Sequence, residues 1–340
     1  MERSIRTASP RDMETVKELL RQNGLTYDTD IDQTLILEGG ERIVGTASIS
    51  GKLIKCVAVD KKDRGEDLTA LLLTAIIGAQ RGKGQKNFFL FTKRELAETF
   101  KPFGFYHIAS GKRSILMEYS RNGFRDYLEQ LARMAVKADR VGCIVMHANP
   151  FTKGHRFLVE YGANRCRVLH VFVLSDEKAF FGKEERLALV TQGVSDLKNV
   201  IVHSAGDYII SPATFPAYFL KSPGEVAEEH ARIDIDLFLE GIVSALGITD
   251  RFVGEEPEDE LTAMYNRQLM ELLPPRGIAL HQLPRLSAGE WPVSASRVRR
   301  AILDQNRLEL REMLPDSSYE YIISKLGSEK HEHRGSDDEH

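Results

Sequence analysis

The stretch VMHANPFTKGHRFLVE, Val145 to Glu160, decides how the second half of the chain folds. An apolar run ends at Met146, a Pro-Phe-Thr turn follows at 150–152, and Gly154-His155 opens an amphipathic helix. The first helical turn leaves backbone N–H groups unpaired and pointing outward. Together with the helix dipole they make an anion site. Thr152 can place its hydroxyl at the mouth as a cap or a phosphate donor. Gly154 has no Cβ to block a ligand, His155 aims its ring at the same anion, and Pro150 fixes the turn. Taken alone, T-x-G-H reads first as a well-capped helix with a surface histidine.

Outward from this junction, strand and helix patterns alternate. VGCIVMH is a continuous apolar strand and RFLVEYGANRC a helix. VLHVFVLS is a second buried strand, KEERLALVTQGVSDL a helix, and NVIVHSA a third strand. DRFVGEE and IALHQLP are further strands, with TAMYNRQLMELL between them. Continuous rather than alternating apolar strands imply burial on both faces, hence a parallel sheet flanked by helices. In such doubly wound α/β domains, ligands bind beyond the carboxyl ends of the strands. The opening stretch lies at the end of the first strand.

The front half differs. RDMETVKELLRQNG is a helix with Val16, Leu19 and Leu20 on one face; three short strand runs follow, with a Gly-Gly turn between the first two. Then come an apolar helix, a strand, a short helix and a last strand. That is an α+β pattern. The expected organisation is an α+β domain at 1–120, a helical connector at 121–139, an α/β domain at 140–327, and a disordered charged tail at 328–340.

Net charge is −4, with 42% hydrophobic and 28% charged residues. There is no basic excess to indicate nucleic acid. Cys56, Cys143 and Cys166 lie far apart, a usage that fits a reducing compartment. The N-terminus has no apolar signal core, and the longest apolar run is too short to span a bilayer. The expectation is a cytoplasmic enzyme or binding protein without a membrane partner.

A second stretch, WPVSASRVRRAI at 291–302, places Ser294 and Ser296 at a helix start, with arginines in the next turn. Alone it reads as a basic helix face with ordinary caps. In this order and on this fold, the pair T-x-G-H and V-S-A-S-x-x-R resembles the two signatures of the nucleotidylyltransferase superfamily, [HT]-x-G-H and I-S-S-T-x-x-R. The resemblance implies that His155 contacts nucleotide phosphates, that Thr152 helps orient them, and that Arg299, rather than Arg297, is the phosphate-binding arginine. It places Asn149, Pro150, Phe151, Gly154, Ser294 and Ser296 around the nucleotide. Related adenylyltransferases use a lysine after the second strand; Lys178 is the candidate, with Arg186 as a second cation. Either could equally be a solvated surface charge.

NPFTKGHRFLVE, HSAGDYIISPATFPAYFLK, RIDIDLF, ITDRFVGEEP, MYNRQL and PVSASRVR together resemble the citrate lyase ligase family, over most of residues 1–325. The resemblance implies an acid–thiol ligase. Acetate is activated by ATP as acetyl-adenylate, with Mg²⁺ on the phosphates, and pyrophosphate leaves. The acetyl group passes to the prosthetic-group thiol of the citrate lyase acyl-carrier subunit, releasing AMP. Asp234 and Asp236 read as acids at a helix N-terminus, and EEPEDE as an acidic loop able to hold Mg²⁺ or a cationic partner. A histidine stands at position 147, where the family usually has asparagine.

Residues 1–120 resemble the GNAT acetyltransferase fold, whose phosphate loop follows [QR]-x-x-G-x-[GA]. Here Lys62, Gly65 and Asp67 hold those positions. An acid at the last one opposes a phosphate, so acetyl-CoA binding is not expected to follow from the fold. Two other functions remain open on the residues alone: an adenylyltransferase of the pantetheine-phosphate type, and a non-catalytic nucleotide-sensing or carrier-docking protein.

Overall fold

The computed structural model describes residues 3–28, 30–63, 66–175, 179–209, 223–256, 259–288 and 291–335. The chain divides into two compact units. The first holds the chain up to Gln130 together with a later helix, Pro223–Leu237; the second is formed from Leu131 onward without that helix.

In the first unit the elements run β1 (Arg3–Thr7), α1 (Met13–Gln22), β2 (Gln33–Gly39), β3 (Arg42–Ser50), β4 (Leu53–Val59), α2 (Glu66–Arg81), β5 (Phe89–Lys93), α3 (Ala97–Phe100), β6 (Tyr106–Ser110) and β7 (Ser114–Glu118), with α4 (Gly123–Ala132) following. They build one seven-stranded sheet in the order β1-β2-β3-β4-β5-β7-β6. The apolar face of α1 buries Val16, Leu19 and Leu20, as its spacing requires. The Gly-Gly pair turns the chain between β2 and β3, with Gly40 at φ 69°. Leu68, Leu72, Leu73, Ile76 and Ile77 of α2 pack onto the sheet.

Strands β4 and β5 form a parallel pair that meets only at Leu53–Phe89 and Ile54–Leu90. Beyond Ile54 they part around a cavity of about 170 Å³ lined by Leu25, Ile54, Val57, Leu90, Phe91 and Phe100, among others. Of the three fixed positions of the phosphate-loop pattern, Lys62 and Asp67 are described and Gly65 lies outside the described residues.

The second unit contains β8 (Val141–Met146), α5 (Lys153–Ala163), β9 (Val168–Val173), α6 (Lys183–Gly193) and β10 (Val200–Ser204). After α7, the Pro223–Leu237 helix of the first unit, come α8 (Val243–Leu246), β11 (Asp250–Gly254), α9 (Glu260–Leu272) and β12 (Ala279–Leu283). The chain closes with α10 (Ala295–Leu303), α11 (Arg307–Met313) and α12 (Asp316–Gly335). All five strands are parallel, in the order β10-β9-β8-β11-β12. This is the doubly wound sheet expected from the apolar runs. Strand order reverses between β8 and β11, so the ligand crevice of such a sheet falls at their carboxyl ends.

Three expectations change. Helix α7 packs with the first unit and so does not belong to a continuous 140–327 block. Asp234 and Asp236 lie in its C-terminal half rather than at its start, and Asp236 accepts the Ser110 N–H at 2.7 Å. Helix α12 runs to Gly335, so 328–335 is helical rather than a structureless tail. The stretch 210–222, which carries most of YIISPATFPAYF, lies outside the described residues.

All three cysteines are buried free thiols. Burial pushes Cys56 up to about 12 and Cys166 up to about 11, so neither is an available thiolate at neutral pH. Among the described residues no helix is long and apolar enough to cross a membrane.

Candidate active site

The buried strand β8 delivers the chain to the carboxyl edge of the sheet. Ala148 then turns it through a left-handed conformation, φ 48°, that alanine seldom adopts. Strain of this kind is retained where a turn must be held in one shape. Phe151 is fully buried beneath the turn and abuts Gly193, where an added Cβ would lie 2.5 Å from the ring. Any side chain at 193 would lift Phe151 and with it the helix start.

Thr152 is the N-cap of α5. Its hydroxyl accepts the His155 N–H at 3.4 Å, and its own N–H donates to His155 Nδ1 at 3.0 Å. This is a capping box with histidine in the place usually taken by Glu or Gln. Phe151 stacks on the His155 ring, with centroids 5.9 Å apart and planes 17° off parallel. The ring is therefore fixed from two sides.

Burial pushes His155 down to about 4, with the neighbouring His147 and Arg285 charges adding to the effect. The imidazole is thus neutral near pH 7. Because Nδ1 accepts from Thr152, the proton sits on Nε2. His155 presents one N–H donor, next to the outward-pointing amides of the first turn of α5. Gly154 is not demanded by packing: an added Cβ would meet Thr152 and Val293 only at ordinary distances of 3.6–3.8 Å.

The second motif closes on the first. Ser294 caps α10, accepting the Arg297 N–H at 3.2 Å. Ser296 Oγ accepts from Arg299 Nη2 at 3.0 Å, and Arg299 Nη1 donates to the Asn149 carbonyl at 2.7 Å. Partial burial lowers the Arg299 pKa, the mark of a cation drawn into the protein. Arg297 instead pairs with Glu309 at 2.6 Å and faces the Trp291 ring. Of the two arginines, Arg299 is the one brought to the T-x-G-H turn.

Other residues expected at the nucleotide have different local partners. Arg186 is completely buried and donates to the carbonyls of Phe181, His147 and Leu174 at 3.1, 2.9 and 2.7 Å. It ties the chain ends beyond β8 and β9 together, so it shapes the site from beneath rather than meeting a ligand as a surface cation. Asn149 and Pro150 are buried, and the Asn149 side chain accepts the Phe181 N–H at 3.0 Å. They and Phe151 hold the turn. Lys178 lies outside the described residues. His147 contributes its carbonyl to Arg186 and its ring to the electrostatics of His155. Arg285, whose charge also acts on His155, carried no motif in the sequence. In the acidic loop, Glu256 pairs with Arg285 and Asp259 caps α9.

A parallel sheet whose first strand runs into a T-x-G-H helix start, with a serine-capped arginine helix closing on that turn, defines a nucleotidylyltransferase domain. The chain belongs to the citrate lyase ligase family: residues 141–322 match the family's C-terminal domain. It is 39% identical to a [Citrate [pro-3S]-lyase] ligase of Klebsiella pneumoniae, over 93% of this chain and 94% of that protein. It is 34% identical to the Escherichia coli K12 protein of the same name, over 95% of this chain and 93% of that one. A shorter similarity, 36% over 64 residues, joins it to the phosphopantetheine adenylyltransferase of Staphylococcus carnosus, covering 18% of this chain and 40% of that enzyme. Among solved structures, N-acetylglutamate synthase from Neisseria gonorrhoeae complexed with coenzyme A and N-acetyl-glutamate is 22% identical over 35% of each chain, with a TM-score of 0.30.

Proposed function

We propose that this ligase activates acetate with ATP and transfers the acetyl group to the thiol of the citrate lyase acyl carrier. The observation that supports this most is the Arg299–Asn149 bond, which draws the two nucleotide motifs onto the His155 turn. In the first step a carboxylate oxygen of acetate attacks the α-phosphorus in line. The bond from phosphorus to the bridging β-oxygen breaks, and pyrophosphate departs with its electron pair. Charge develops on the phosphoryl oxygens and the leaving group, where fixed donors are most effective. The His155 Nε2–H, the first-turn amides of α5, Arg299 and Lys178 are the assigned donors, and Gly154 leaves room for the phosphates to approach.

In the second step the carrier thiolate attacks the adenylate carbonyl, the C–O bond to AMP breaks, and AMP leaves. No cysteine of this chain is assigned a relay, in keeping with three buried thiols. The donors around His155 are N–H and guanidinium groups, which suit phosphates rather than a bare cation. Mg²⁺ is accordingly assigned to the ATP β- and γ-phosphates, whose charge it would neutralise.

Exchange of labelled pyrophosphate into ATP tests this reading. Exchange that requires acetate is expected. Exchange that ignores acetate and requires a phosphopantetheine substrate would replace the ligase reading with an adenylyltransferase one.

A further inference from the structure

The far side of the strand-order reversal carries a second arginine. Strands β11 and β12 end in register, Gly254 beside Leu283, and the Glu255 N–H donates to the Leu283 carbonyl at 2.8 Å. Just beyond these ends, Arg285 Nη2 and Glu256 Oε2 form an ion pair at 2.8 Å. The Arg285 side chain keeps 22% of its exposure while its Nη1 is buried, so the guanidinium lies partly inside the rim.

The chain then carries Arg285 alongside the start of α5. The next residue, Leu286, accepts the Val293 N–H at 2.8 Å, and the Val293 carbonyl lies 3.8 Å from where a Cβ on Gly154 would stand. Val293 in turn precedes Ser294, the cap of α10. The crevice at β8 and β11 is thus walled by the His155 turn on one side and by the loops after β11 and β12 on the other. A ligand bound in such a crevice touches both walls. The positive charge of Arg285 is already felt at the His155 ring, despite the Glu256 carboxylate beside it.

We propose that Arg285, oriented by Glu256, is a further polyphosphate-binding residue of this site and contacts the pyrophosphate leaving group. The proposal rests on the reading of the site as an ATP site. Guanidinium is suited to the role: its planar fork binds phosphate oxygens in pairs, which an ammonium does not. Glu256 fixes the fork before the nucleotide arrives, so less side-chain freedom is lost on binding.

Calorimetric titration of the full-length protein with Mg·ATP, and separately with inorganic pyrophosphate, tests the assignment. Arg285→Gln is expected to weaken both by about 10- to 100-fold, and Arg285→Lys by less. In the ligand-free protein, Arg285→Gln is also expected to raise the His155 titration midpoint followed by NMR, because a positive neighbour has gone. Binding of both ligands within twofold of wild type would overturn the proposal. If Arg285→Gln loses its cooperative melt, Arg285→Lys takes its place; binding at least threefold weaker is expected, and equality with wild type overturns the proposal. Acetate-dependent exchange by the wild type reports separately: its loss with ATP binding intact removes the acetate reading and leaves Arg285 assigned, whereas a wild type that binds neither ligand overturns both.

Discussion

Arg299 and Asn149 stand 150 positions apart in the chain, yet Arg299 Nη1 donates to the Asn149 carbonyl at 2.7 Å. The same guanidinium donates to Ser296 Oγ, so both of its ends are fixed before any ligand binds. A cation fixed in this way stabilises developing phosphoryl charge without reorganising first. Arg299→Ala is expected to lower kcat/KM for ATP by about 100- to 1,000-fold. Arg299→Lys keeps the charge, loses the fork, and is expected to recover little. Steady-state exchange rates on variants with an unchanged melt check this; near-wild-type kinetics in Arg299→Ala would remove the residue from the site.

Arg186 has the opposite signature. A fully buried guanidinium serving three backbone carbonyls should act on stability first. Arg186→Met is expected to cost about 3 kcal/mol or more, since the carbonyls lose donors that water cannot readily replace. Denaturant unfolding measures this. An unchanged midpoint with lost ATP binding would restore Arg186 as a direct ligand contact.

Three desolvated histidines, the buried His170 and His203 and the half-buried His155, set an acid limit. His155, His170 and His203 are each lowered by burial from 6.5 to about 4. His170 Nδ1 and His203 Nε2 also share a 2.8 Å hydrogen bond, which needs one N–H and one lone pair and is lost if both rings protonate. Between those pH values the unfolded chain binds protons that the fold refuses. Stability therefore falls as pH drops from about 6.5 to about 4, is unaffected by these groups above that window, and levels off below it. Unfolding free energies across the window check the sign. His203→Gln is expected to flatten the slope, and an unchanged slope would contradict the burial of the pair.

Helix α7 is anchored through its acids, Asp236 at the Ser110 N–H and the buried Glu229 at Arg113 and Ser114. Glu229 is buried and accepts the N–H groups of Arg113 and Ser114 and the Ser114 hydroxyl, at 2.9, 3.0 and 2.6 Å. Gly111 lies so close that an added Cβ would collide with Glu229 Oε2. Glu229→Ala is expected to destabilise the first unit by about 2–4 kcal/mol, and Gly111→Ala to loosen α7 by pushing the carboxylate away. Hydrogen exchange of the α7 amides measures both; unchanged protection would show that other contacts hold the helix.

The features legible in the sequence are those written at short range. Thr152 and His155, like Ser294 and Arg297, are three residues apart, and helix capping acts at that spacing. The parallel sheet was legible because its strands are apolar without alternation. The complete burial of Arg186 was not expected, since the residue reads as a second phosphate cation or a solvated surface charge. A signal was nevertheless present: Arg186, Leu189, Val190 and Gly193 fall on one helical face, and all four are buried. Arg285 offered no such signal, since a lone arginine in LPRLS gains meaning only when two strand ends bring it to the crevice. The placement of α7 was equally illegible, because its partners lie more than a hundred residues upstream. The acyl acceptor came from family resemblance; no local spacing encodes it.

Oxygen transfer tests the adenylate pathway most directly. Acetate labelled with ¹⁸O in its carboxylate is supplied with ATP and thiol-form citrate lyase, and the AMP released is analysed by mass spectrometry. If acetate oxygen attacks the α-phosphorus and the thiolate later attacks the carbonyl, each AMP carries one ¹⁸O from acetate. AMP free of label, formed alongside acetylated carrier, would contradict the pathway.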